Sequence, residues 1–103
     1  MSSQLRFHPK VVDDLKGAVE WYDARSAGLG IRFRAAVDLR FDEVEESPAS
    51  FPRAFDDLDH RFARLKRFPY LILFRQKGDI VFVLGVFHTA SDQAKWKERG
   101  TYF

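Results

Sequence analysis

Basic side chains are concentrated in the second half of the chain, with aromatic residues among them. Residues 61–103 hold nine Lys and Arg against three Asp and Glu, whereas residues 1–60 hold eight against twelve. Such surfaces bind phosphates or acidic peptides, although an edge strand also uses Lys and Arg to prevent unwanted pairing. The local excess of charge favours a partner. The predicted partner-binding residues are Arg61, Arg64, Lys66, Arg67, Arg75, Trp96 and Arg99.

His88 has the position best suited to acid–base chemistry, because it ends the most apolar strand-like segment of the chain. An imidazole titrates near neutral pH, so a histidine at a strand end can serve as an acid or a base. The alternative is a histidine that is hydrogen-bonded to backbone at the rim of a sheet. The sequence leaves both interpretations open.

Residue types that bind metals or cofactors do not form a recognisable set. The chain has no cysteine, which excludes disulfides, a thiol nucleophile and thiolate metal sites. Asp56, Asp57, Asp59 and His60 are close in sequence, but their spacing matches no known ligand set. The glycines of segment 28–30 indicate a helix cap and turn rather than a phosphate-binding loop. We therefore predict neither a metal nor a cofactor.

Apolar residues recur at helical spacing in two neighbouring segments of the first half. The first begins near Pro9 and ends at Gly28, and the second runs from Leu29 to Glu46, where Ser47-Pro48 stops it. Their predicted buried faces are Val11, Leu15, Ala18, Val19 and Tyr22 in the first helix and Phe33, Val37, Phe41 and Val44 in the second. Trp21 is also assigned to the core. The short connection predicts an antiparallel hairpin.

Strand-like patterns flank the two helices. Leu5–His8 alternates weakly, and Arg61–Arg67 alternates basic with apolar residues. Tyr70–Phe74 and Ile80–Phe87 are continuously apolar, as in strands covered on both faces, and a turn at Lys77–Asp79 separates them. The order of elements is therefore β-α-α-β-β-β.

The remaining segments complete a single domain over residues 1–103. Phe51, Phe55 and Leu58 can fold back onto the core from the loop of residues 47–60. Residues 91–103 form a C-terminal tail that is compatible with a helix over Asp92–Glu98. We predict an α+β fold in which the N-terminal strand and the helix hairpin pack on a mostly antiparallel sheet. Without a signal-like start or a membrane-length apolar run, a cytoplasmic location is expected.

An ordered set of short motifs resembles the RelE/ParE superfamily of type II toxin–antitoxin toxins, and its ParE branch in particular. The set spans about Leu5 to Arg99 and consists of Ala18-Val19-Glu20-Trp21-Tyr22, Gly28-Leu29-Gly30 with Phe33, Glu46-Ser47-Pro48 with Phe51-Pro52, Arg67-Phe68-Pro69-Tyr70 with Phe74-Arg75, Val86-Phe87-His88, and Trp96 with Arg99. The family fold is a helix hairpin against an antiparallel sheet, in agreement with the elements above.

The resemblance implies one of two toxic activities. RelE-like members cut mRNA on the ribosome, whereas ParE-like members poison DNA gyrase and have no established catalytic residues. Where RelE-like nucleases tend to carry arginines, this chain has Leu71 and Thr89, which removes groups that stabilise phosphate charge. If the chain were a nuclease, its candidate catalytic residues would be Arg64, Arg75, His88 and Tyr102.

The resemblance also implies a partner. Antitoxins of this superfamily wrap an acidic, amphipathic C-terminal segment around the toxin, and the basic half of this chain is a suitable dock. We therefore expect the toxin of a plasmid-stabilisation-type system that acts on DNA gyrase without catalysis. A ribosome-dependent mRNA endoribonuclease and a degenerate, non-toxic member are the alternatives. No membrane partner is expected.

Overall fold

The computed structural model describes residues 4–56 and 58–100. Within them, the elements follow the predicted order, with one short helix added by the tail. They are β1 (Gln4–Phe7), α1 (Val11–Arg25), α2 (Leu29–Glu46), a 3₁₀ turn (Pro48–Ser50), β2 (Arg61–Arg64), β3 (Tyr70–Lys77), β4 (Ile80–His88) and α3 (Gln93–Gly100). The α+β fold with an N-terminal strand and a helix hairpin is confirmed.

The strands form one mixed sheet in the order β1-β4-β3-β2. β2 and β3 pair antiparallel, as do β3 and β4, while β1 lies parallel to β4 at the edge. β2 ends at Arg64, so the predicted continuation of this strand to Arg67 is wrong. Residues 65–69 instead form a connection, in which the N–H of Leu65 bonds to the carbonyl of Tyr70 at 2.9 Å.

The helix hairpin covers one face of the sheet. Gly28 adopts φ +87° between the helices, the left-handed conformation expected of a glycine cap. Gly30 lets α1 and α2 approach closely, since an added Cβ would lie 2.6 Å from the carbonyl oxygen of Val19. Phe33, Val37 and Val44 are fully buried on this face. The predicted apolar stripes of both helices therefore form the main core.

A β-bulge in β4 changes which of its residues face the helix hairpin. The register shifts by one residue between Leu73 and Phe74, so β4 carries an extra residue opposite that step. Val83 and Val86 consequently both face the helix hairpin, although they are three residues apart. Leu84 faces the opposite side.

A second, smaller core covers the other face of the sheet. Phe55, Leu71, Leu73, Leu84 and Trp96 are its buried members, and Leu58 packs against them. Phe55 and Leu58 of the loop, together with helix α3, supply this cover, as predicted for these two residues, whereas Phe51 packs against the main core. The sheet is therefore buried on both faces, which explains the nearly continuous apolar runs of β3 and β4.

Candidate functional site

The basic segment on and after β2 is only partly free for a partner. Arg64, Lys66 and Arg67 are exposed. Arg61 is half-buried, and its guanidinium donates a hydrogen bond to the carbonyl of Phe51. The first three side chains can therefore reach a partner, whereas Arg61 mainly holds the loop that follows α2 against the sheet.

Arg75 lies on the same face of the sheet as Arg64 but far along it. Arg64 pairs with Leu71, and Arg75 follows Leu71 by four residues, which is about 13 Å at strand spacing. The Arg75 guanidinium lies 3.4 Å from a carboxylate oxygen of Asp59, and its side chain is 23% exposed. Measured along the strand, the two arginine positions are therefore about 13 Å apart, and Arg75 is already engaged with Asp59.

His88 ends β4 on the opposite face from Arg64. It pairs with Tyr70, whose ring packs against the helix hairpin, and the two rings are 5.2 Å apart. The Nδ1 atom of His88 accepts a hydrogen bond from the N–H of Ala90 at 3.0 Å, so the neutral ring carries its proton on Nε2. Tyr102 lies outside the described residues. Among those described, the nuclease candidates do not converge on one point.

Trp96 and Arg99 of α3 are used inside the molecule. Trp96 is 6% exposed in the second core, and its indole N–H donates to the hydroxyl of Ser91 at 2.8 Å. Arg99 forms a bidentate pair with Asp14 and also donates to the carbonyl of Leu84 at 3.0 Å. Contact of these two side chains with a partner would require α3 to leave the sheet.

An open groove lies between the end of α1 and the end of the sheet. This Trp21 groove, of about 640 Å³, is lined by Gly17, Trp21, Tyr22, Arg25, Leu29, Pro69, Tyr70 and His88. Trp21 is 48% exposed, so its assignment to the core is wrong, whereas Tyr22 is buried as predicted. Helical spacing contained the signal, because residues 17, 21 and 25 share a flank of α1 that differs from the buried stripe.

Two tyrosines of the Trp21 groove remain protonated phenols at neutral pH. Burial raises the pKa of Tyr70, and burial together with the neighbouring Tyr70 raises the pKa of Tyr22. Their rings are 6.1 Å apart. The groove therefore offers neutral hydroxyl groups and one fixed cation, Arg25.

A larger apolar groove follows the outer side of the helix hairpin and the edge strand β1. This hairpin groove of about 1180 Å³ includes Phe7, Val12 and Ile31, which are 47%, 70% and 73% exposed. Exposed large apolar side chains that adjoin one another mark interaction surfaces in soluble proteins. The sequence predicted a partner for the basic half, but not this apolar surface on the acidic half.

Other chemistry has little support from the described residues. Residues 4–56 and 58–100 contain no group of three His, Asp or Glu side chains that could hold a metal ion. Asp57, a member of the acidic loop cluster, lies outside them. None of the described helices is both long and apolar enough to cross a bilayer.

Three solved structures with this fold are a ParDE system, a RelE toxin and a RelBE2 toxin–antitoxin complex. The chain matches a chromosomal ParDE system from P. aeruginosa with a TM-score of 0.75 and 17% identity, covering 84% of this chain and 96% of the other. A mutant E. coli RelE toxin in the free state matches with a TM-score of 0.72 and 17% identity over 100% of both chains. The RelBE2 toxin–antitoxin complex from Mycobacterium tuberculosis matches with a TM-score of 0.63 and 22% identity, covering 85% of this chain and 99% of the other.

These likenesses establish the fold, and the sequence itself establishes the family. A search of curated protein sequences finds no significant match. The family model described as the ParE toxin of type II toxin–antitoxin system, parDE, matches residues 5–93. This match covers both helices of the hairpin, three whole strands and all of β1 except Gln4. The chain therefore belongs to the ParE toxin family of type II toxin–antitoxin systems.

Proposed function

We propose that the chain is a ParE-like toxin that arrests growth by binding DNA gyrase, without catalysis of its own. The observation that carries this proposal is the match of residues 5–93 to the ParE toxin family. The placement of His88 on the opposite face of the sheet from Arg64 and Arg75 argues against a nuclease site built from these three residues. The arginines are about 13 Å apart along the sheet, and His88 faces the other side. A nuclease needs its acid, base and phosphate-stabilising groups around one reacting phosphate.

We further propose that a cognate antitoxin neutralises the toxin with an acidic, amphipathic segment. Its acidic residues would pair with the exposed Arg64, Lys66 and Arg67, and its apolar residues would fill the hairpin groove. The groove supports the apolar part of this contact, because Phe7, Val12 and Ile31 are exposed in it. An amphipathic helix binds such grooves through residues at helical spacing.

Induction of the chain without an antitoxin tests the proposed activity. We expect growth arrest in cells, inhibition of supercoiling by purified gyrase, and intact transcripts in primer-extension maps. The double variant Arg64→Ala, Arg75→Ala should arrest growth as the parent chain does, since these residues have no catalytic role. Cut transcripts that become intact in this variant would instead establish an endoribonuclease. Normal growth and normal supercoiling would indicate a degenerate, non-toxic member.

A further inference from the structure

The Trp21 groove has the size and composition of a binding site, and three of its lining residues, Tyr22, Leu29 and Tyr70, also pack in the main core. Its volume of about 640 Å³ lies within the range of roughly 300–1,000 Å³ seen for ligand pockets. Trp21 and Tyr70 provide apolar walls, and half of the Trp21 surface remains open to solvent. An exposed tryptophan beside a concave apolar surface is a typical anchor point for a partner.

The polar groups of the groove are hydrogen-bond donors suited to a negative charge. The Arg25 guanidinium carbon lies 3.5 Å from the centroid of the Trp21 ring, which holds the cation in place. Arg25 forms no ion pair with a carboxylate of the described chain. His88 adds an Nε2–H donor, because its Nδ1 is already an acceptor. Of the residues described, those that line the groove include no Asp or Glu.

A protein segment fits this site better than a nucleic acid. Strands of nucleic acid are held by several phosphate contacts, and the groove itself has one fixed cation, Arg25. Trp, Tyr and Arg are also the residue types that dominate binding energy in protein–protein interfaces. The chemistry therefore fits a carboxylate on Arg25, with an adjoining apolar side chain between Trp21 and Tyr70.

The position of the groove separates it from the surface that we assign to the antitoxin. Gly17, Trp21 and Arg25 form one flank of α1, while Val12 and Lys16 belong to the hairpin groove on the opposite flank. One partner can therefore fill the hairpin groove while the Trp21 groove stays open. We propose that the Trp21 groove engages the cellular target of the toxin by binding an acidic protein segment with an apolar anchor residue. This inference rests on the proposed toxic function.

Three substitutions test the groove without disturbing the core. Gly17→Leu narrows it, and a Cβ at this helical position meets open space, so the fold should tolerate the change. Arg25→Glu reverses the fixed charge, and Trp21→Ala removes the anchor. The matched controls are Gly17→Ala at the same position and Arg32→Glu on the exposed face of α2.

Growth arrest after induction is the first measurement, because it does not presuppose a target. Affinity for purified gyrase and inhibition of supercoiling are the second. We expect each groove variant to weaken gyrase binding by at least about tenfold and to relieve growth arrest, whereas the controls stay within about twofold of the parent chain. Raised salt should weaken gyrase binding by the parent chain more than binding by the Arg25→Glu variant, since the Arg25 contact is ionic.

The possible outcomes separate this inference from the proposed function. Groove variants that arrest growth as strongly as the controls would overturn the inference, and so would a parent chain that causes no arrest. If the chain arrests growth but does not bind gyrase, only the assignment of gyrase as the target would be rejected. Relief of that arrest by the groove variants would still support the groove as the site that binds the target. If these variants no longer co-purify with the antitoxin, the antitoxin is the occupant of the groove. If the parent chain cleaves transcripts and these variants do not, the occupant is RNA. Either result would overturn the proposal.

Discussion

Replacing Arg99 by Ala is expected to destabilise the whole domain, because its ion pair with Asp14 joins the last helix to the first. Arg99 donates to the two carboxylate oxygens of Asp14 at 2.8 and 3.1 Å. Asp14 also accepts the N–H of Val86 at 3.1 Å, and Arg99 donates to the carbonyl of Leu84. β1 ends at Phe7, so the pair occupies the edge of β4 that no strand covers.

The expected magnitude follows from burial and from the number of hydrogen bonds. The side chains of Arg99 and Asp14 are only 15% and 14% exposed. Removal of one partner of a buried pair costs about 3–5 kcal/mol, and partial access of water to this pair favours the lower end, about 3 kcal/mol. A domain of this length has a free energy of unfolding of roughly 5–15 kcal/mol, so the loss should be plain in any denaturation curve.

Urea denaturation followed by circular dichroism measures the effect, and a double-mutant cycle isolates the pair. The cycle compares Arg99→Ala, Asp14→Ala and the double variant, and we expect a coupling free energy of about 2 kcal/mol. The internal control is Arg34–Asp38 on the surface of α2, where the side chains are 49% and 54% exposed. That pair should couple by only about 0.3–0.5 kcal/mol. Equal coupling for both pairs would refute the argument from burial.

Further predictions concern the surroundings of this pair. Gly85→Ala should destabilise the fold by about 1–3 kcal/mol, because its Cβ would overlap the Phe87 ring and lie 3.0 Å from Nη1 of Arg99; an unchanged urea midpoint would contradict this. Burial, and then the positive charges of Arg99 and Lys10, lower the pKa of His8 below 6.5, and its Nδ1 accepts the N–H of Lys10. The His8 contribution to stability is therefore complete above pH 6.5 and is lost as the pH falls from there through the folded-state pKa. The His8→Asn variant keeps an acceptor but does not titrate, so its free energy of unfolding, measured by urea titration, should depend less on pH over that range. An equal pH dependence would contradict the assignment.

Local pattern was sufficient to predict most elements of this fold. The second helix was predicted from Leu29 to Glu46 and has those bounds, because an apolar stripe and a Ser-Pro stop are local signals. The cap at Gly28 was predicted for the same reason. β2 was predicted three residues too long, since alternation continues to Arg67 although the chain leaves the sheet after Arg64.

The burial of the two tryptophans was not predicted correctly from the sequence, although the helical spacing of residues 17, 21 and 25 contained a signal for Trp21. Trp21 was assigned to the core and is 48% exposed, whereas Trp96 was assigned to a binding surface and is 6% exposed. Trp21 is followed by Tyr22, whereas Trp96 lies between Lys95 and Lys97, so the immediate neighbours suggested burial for Trp21 and exposure for Trp96. The exposure of Trp21 depends on which flank of α1 meets the sheet. The burial of Trp96 depends on the packing of α3 against the second face of the sheet.

What the sequence determined by itself is the set of elements, the face that each helix buries, and the family. These follow from periodicity, caps and ordered motifs, whose physical causes act over a few residues. Tertiary structure alone decided the contacts between distant residues. It placed β1 beside β4, joined Asp14 to Arg99, and separated Arg64 from His88 by putting them on opposite faces of the sheet. No local pattern encodes such pairings, because they arise only when the complete chain closes on itself.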